Sequence, residues 1–109
     1  MDNFTKAEKR KIRELLGEAF EAETAAALED VEAAIQEWRA GQILPSEVRE
    51  RIHEFHKESQ EIYKTYNYME PLLAIGRAVA EGFISLENVP ESIRERVKDL
   101  AEFVGQNGG

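Results

Sequence analysis

From Thr5 to Ala40 the chain runs for about 35 residues without a proline, broken only by Gly17 and closed by Gly41. At about 1.5 Å per residue this predicts one α-helix of roughly 50 Å, longer than most domain helices. Thr5-Lys6-Ala7-Glu8 supplies its start, a hydroxyl followed three residues later by a carboxylate, so that each side chain satisfies a backbone N–H the helix leaves open. Gly41 supplies the left-handed residue that commonly ends a helix. Gly17 costs about 1 kcal/mol relative to alanine in a helix interior, and the helix is expected to continue through it.

The remaining punctuation yields three more helices. Gln42-Ile43-Leu44 is a short connection, and Pro45 opens a second helix reaching about Tyr66. Asn67 and Tyr68 are read as the next junction, with Pro71 opening a third helix that stops at Gly82 and is apolar on most sides from Leu72 to Ala80, as befits a central element. Ser85 to Asn88 reads as a single turn. Pro90 starts a last helix carrying Ile93, Val97, Leu100 and Val104 at three- and four-residue spacing. Residues 106–109 are expected to fray. The expected fold is all-α: a bundle of four (to five) helices spanning 1–105 as one domain, its long N-terminal helix forming an antiparallel hairpin with the second and the shorter helices packing across it. A faint echo of helix, glycine stop, apolar pair and helix links the Gly41 and Gly82 regions, and no function follows from it.

The pattern also predicts faces. Val48, Ile52, Phe55, Ser59, Ile62 and Tyr66 make one buried stripe on the second helix. Leu16, Phe20, Thr24, Ala27, Val31, Ala34 and Trp38 make one on the first, where small residues suit close pairing with the second helix or with another copy of the first. Tyr63, Tyr66, Tyr68 and Met69 form an aromatic cluster near the second junction. Core packing is its first reading and a partner-facing patch its second.

Charge on the first helix is segregated. Lys6, Lys9, Arg10, Lys11 and Arg13 crowd its first turns, while Glu14, Glu18, Glu21, Glu23, Glu29, Asp30, Glu32 and Glu37 follow with no cation among them. Cations at a helix N-terminus oppose the macrodipole by about 0.3 to 1 kcal/mol each, which invites an external explanation. The plain alternative is that a solvated helix is charged anyway.

Composition then excludes several function classes. With 22 acidic against 14 basic residues the net charge is −8, which disfavours direct nucleic-acid binding. No run of about 18 apolar residues could span a membrane, and a chain with no cysteine is at home in a reducing compartment, so a cytoplasmic location is expected. Catalysis finds no motif. Ser46, Ser59, Ser85 and Ser92 read as caps, turns or helix faces, and the glycines form no phosphate loop. Glu50-Arg51-Ile52-His53 is one Glu-x-x-His unit where a carboxylate-bridged di-metal bundle needs two. Glu50, His53 and His56 are thus the only candidate metal ligands, with a solvated histidine pair as the ordinary reading.

The expected function is therefore a non-catalytic protein-interaction or regulatory module that needs no cofactor. It is expected to bind a protein partner and to self-associate as a homodimer through the first helix, with Arg10, Arg13, Phe20, Ala27, Val31 and Trp38 as contact residues. The alternatives are an acidic mimic that inhibits a basic nucleic-acid-binding protein through the Glu14 to Glu37 face, and a metal-dependent bundle enzyme built on Glu50, His53 and His56.

Overall fold

The computed structural model describes residues 3–107. Over the described residues the chain is an all-α bundle of four helices: α1 (Lys6–Arg39), α2 (Pro45–Tyr68), α3 (Pro71–Ala80) and α4 (Glu91–Asn107), with a 3₁₀ turn at Leu86–Asn88 between the last two. They pack as two helical hairpins, α1 with α2 and α3 with α4, and α3 lies against α1.

Each boundary has a local cause. The Thr5 hydroxyl accepts from the Glu8 N–H at 3.0 Å while the Glu8 carboxylate accepts from the Thr5 N–H at 2.8 Å, completing the predicted capping box. The two hairpin turns are built alike. At the first, Gly41 has φ 77°, with the Gln42 N–H donating to Glu37 and the Gly41 N–H to Trp38. At the second, Gly82 has φ 82°, with the Phe83 N–H donating to Ala78 and the Gly82 N–H to Val79. Both are Schellman closures, which only a residue tolerant of positive φ makes without strain. Leu44 has no acceptor to cap α2, and the Glu47 carboxylate alone serves there, taking the Leu44 N–H at 2.8 Å.

Two boundaries differ from expectation. The α2–α3 junction is Met69-Glu70 instead of Asn67-Tyr68, because Pro71 holds the residue before it out of the helical region and Glu70 then caps α3 by accepting from the Leu73 N–H at 2.8 Å. Asn67 stays helical, its side-chain amide donating to the Tyr63 carbonyl. At the far end α4 continues through Gln106 to Asn107, where fraying was expected, and the last two glycines lie outside the described residues.

One core joins both hairpins. Ile12, Leu15 and Ala19 of α1, Ile62 and Tyr66 of α2, Leu72, Ile75 and Ala78 of α3, Val89, and Ile93 and Val97 of α4 form a single buried cluster. Ala34 and Val48, further along the α1–α2 hairpin, are buried outside it. The hairpin therefore projects beyond the core as a two-helix arm. The molecule measures 54 × 26 × 20 Å with a radius of gyration of 16.8 Å, against about 13 Å for a compact chain of this length.

The α1 helix is continuous through Gly17, where a Cβ would meet nothing within 4 Å. Gly17→Ala is therefore expected to raise stability by about 0.5 to 1 kcal/mol, because alanine costs less backbone entropy in a helix. A urea midpoint that falls on this substitution would contradict the open environment.

Candidate functional site

The covered side of α1 is turned from the predicted stripe. Over its first half the fully buried positions are Ile12, Leu15 and Ala19, followed by Glu23, while Leu16, Phe20 and Thr24 are only half-buried. Two neighbours cause this turn, since α1 packs against α3 as well as α2, and Glu23 of α1 meets Arg77 of α3.

At Glu23 the turn brings a carboxylate into the core. It receives both ends of the Arg77 guanidinium, Nη1 to Oε1 at 2.8 Å and Nη2 to Oε2 at 3.0 Å, and the Tyr66 hydroxyl donates to Oε1 at 2.8 Å. Arg77 also reaches Glu81 at 3.4 Å. This cluster ties α1, α2 and α3 at one point. Burial pushes the Glu23 carboxyl up, but the hydrogen bonds from Arg77 and Tyr66 and the Arg77 charge outweigh it, and the net shift is downward. Burial, then the hydrogen bond to Glu23, holds the Tyr66 phenol above its usual range. The hydrogen bonds to Glu23 raise Arg77 further. No buried side-chain nitrogen or oxygen lacks a partner among the described residues. With every group satisfied internally, the cluster is a structural clasp.

A pH dependence follows. The Glu23 carboxyl has a lower pKa folded than unfolded, so the unfolded chain takes up the proton first as the pH drops. Its stabilisation is complete above about pH 5 and is lost as the pH falls through and below about 4. Glu8, held low by the Ser92 hydroxyl and then by the Thr5 N–H, acts in the same direction. The urea midpoint is expected to be level from about pH 7 to 5 and to fall below that. An identical slope in Glu23→Gln would show that this carboxyl is not responsible.

The predicted contact residues separate into two groups. Ala27 is buried and Phe20 half-buried, its ring edge-on to Tyr66 with centroids 6.4 Å apart, so both are at least partly taken up by the chain's own packing. Arg10, Arg13 and Trp38 are exposed, and Val31, like Phe20, is half-buried. The exposed ones share a flank of α1 turned away from Leu15 and Ala19. At about 100° per residue this flank carries Arg10, Arg13, Gly17, Phe20, Thr24, Leu28, Val31, Ile35 and Trp38, at successive steps of three and four. Leu28 is 47% exposed and Trp38 41%. The Arg39 guanidinium lies 5.5 Å from the centre of the Trp38 ring.

Between α1 and α2 this flank opens a groove of about 390 Å³, lined by Arg13, Leu16, Gly17, Phe20, Tyr63, Tyr66 and Asn67. The aromatic cluster thus divides: Tyr66 and Met69 join the core or pack on it, while Tyr63 and Tyr68 are exposed and meet edge to face at 6.2 Å. Ile52, expected on the buried stripe, is 49% exposed, because a two-helix arm covers only a narrow seam on α2.

Glu50, His53 and His56 all lie on the exposed surface of α2, where they line a shallow depression with Arg49 and Ile52. Among the described residues no group of three or more His, Cys, Asp or Glu side chains is placed to hold a metal ion, nor is any helix long and apolar enough to cross a membrane.

Sequence reasoning missed Glu23 and Arg77. Arg77 is the only charge within the apolar run of α3, and a lone guanidinium on a central helix requires a counter-charge from another element. That signal was legible, but the partner was not, since Glu23 stands in a run of acidic residues that all look alike. Set beside protein-family models, curated proteins and solved structures, the chain shows no match.

Proposed function

We propose that this chain is a non-catalytic protein-interaction or regulatory module that self-associates through α1. The observation that carries the reading is the apolar flank of the α1–α2 arm, with Leu28, Trp38 and Tyr63 exposed beside an inter-helix groove on a chain that is otherwise strongly charged. A projecting two-helix arm with such a flank is half of a four-helix arrangement. The absence of cysteine fits a reducing compartment such as the cytoplasm.

Light scattering on a sizing column at about 0.05 M and 1 M salt tests the reading, because at 1 M the Debye length is only about 3 Å. A dimer is expected, held by apolar contact and strengthened at low salt by the cationic start of α1. Arg10→Glu with Arg13→Glu is expected to weaken it about tenfold at low salt. Leu28→Asp should abolish it while leaving the exposed site's own helix folded. A monomer under all conditions overturns the reading and favours the acidic mimic, for which Glu14, Glu18, Glu21, Glu29 and Glu32 are all exposed on α1.

A further inference from the structure

The core cluster and the side chains packed on it draw on no residue between Ala27 and Phe55. Over that stretch, the outer part of the α1–α2 hairpin, only Ala34 and Val48 are buried, and neither is large. Among the described residues, every side-chain hydrogen bond or ion pair that joins α1 to another helix ends at Glu8 or Glu23, on the core side. None ties the outer parts of α1 and α2 together. At the root of the stretch the two helices enclose a hollow of about 130 Å³, lined by Asp30 of α1 and by Arg51, Glu54, Phe55 and Glu58 of α2. Three carboxylates share that hollow with one guanidinium, so like charges repel across a seam that also lacks packing atoms.

Helices in proteins owe most of their stability to the packing of an apolar face, and a fold opens first where few apolar side chains are buried. We propose that the outer arm, residues 28–54, opens as a unit while the rest of the molecule stays folded, with the hollow at its root as the hinge. The structure limits the opening at that level. Just below the hollow Ala27 and Phe55 join the core, and Glu23 is held by Tyr66 and Arg77. The closure at Gly41 links the two segments at the tip, so they part and rejoin together. Opening uncovers Ala34 and Val48, and it divides the flank of α1. Leu28, Val31 and Trp38 ride on the opening unit, whereas Arg13, Gly17 and Phe20 stay with the core, so the groove they line persists when the arm is open.

Native-state hydrogen exchange, followed by mass spectrometry in urea below the global transition, tests the proposal. Amides of residues 31–38 and 49–54 are expected to exchange at least about tenfold faster than those of 72–78 and 93–97. They are also expected to share one urea dependence, weaker than that of the core, because a partial opening exposes less surface than global unfolding. Ile75→Val separates the two processes. It weakens the closed and the arm-open molecule alike, so it is expected to speed exchange at 72–78 about fivefold and to leave the arm unchanged. Rates are compared at two protein concentrations, so that protection by pairing of chains, which rises with concentration, is told apart from protection by the fold. Arm amides that exchange at the rate of the core at the lower concentration, or that speed up with it in Ile75→Val, overturn the proposal. Arm amides whose exchange is indifferent to urea report fraying residue by residue and overturn the opening as a unit.

Discussion

Arg77→Ala is expected to lower the unfolding free energy by about 2 to 4 kcal/mol, a little under the roughly 3 to 5 kcal/mol for breaking a fully buried pair, because the Arg77 side chain is 25% exposed. For a chain of this size that is a drop of roughly 10 to 20 °C in melting temperature. The reason lies at Glu23, which is 9% exposed and receives two of its three hydrogen bonds from Arg77. Without the guanidinium the carboxylate keeps only the Tyr66 hydroxyl and must take up a proton or admit water. The double variant Glu23→Leu with Arg77→Met removes both charges and fills the volume with apolar atoms, so it is expected to recover most of the loss. Thermal unfolding followed by circular dichroism distinguishes the cases. A single variant within about 0.5 kcal/mol of the parent, the range of an ordinary surface change, would show that the clasp is dispensable.

Gly76→Val should be comparably damaging for a steric reason. A Cβ at Gly76 would sit 2.8 Å from the Leu100 Cβ and 3.2 Å from the Ala101 backbone nitrogen, so α3 and α4 cross with almost no room between them. A branched side chain must push the helices apart along the contact that also holds Ile75, Ile93 and Val97, all fully buried. Overpacking of this kind costs about 1 to 3 kcal/mol, and valine should fall at the upper end because its branch points stand close to the backbone. Urea unfolding measures it. Wild-type stability in Gly76→Val would mean that the crossing is looser than its geometry. The contrast with Gly17→Ala separates the two roles of glycine on these helices, one a spacer at a crossing and the other an open position on an exposed flank.

The fold class and the helix boundaries were legible in the sequence because their causes are local. Thr5 and Glu8, Gly41, Pro45, Pro71 and Gly82 each act within a few residues along the chain, through a capping hydrogen bond, a positive φ or a missing N–H. Where a boundary was misplaced, at Asn67 and again at Gln106, a helix ran a turn or less beyond the local signal. The long α1 was legible too, since nothing between Thr5 and Ala40 could stop it.

The candidate surface was legible only in part. Periodicity picks out apolar positions on α1, but the helix has enough of them to offer more than one stripe, and nothing in its own spacing selects which stripe is covered. The position of α3 decided that. By packing on one side of the first half of α1 it buried Ile12, Leu15 and Ala19, drew Glu23 to an arginine 54 residues away, and left Leu28 on an open flank beside Trp38. Ala27, one residue from Leu28, faces inward for the same reason, since neighbouring residues on a helix point about 100° apart. The sequence by itself determined four helices, their ends and the segregated charge on the first. Only the tertiary structure decided which charge is buried, which apolar side chains remain exposed and where the groove lies, because those depend on contacts between residues far apart along the chain, which local propensity does not encode.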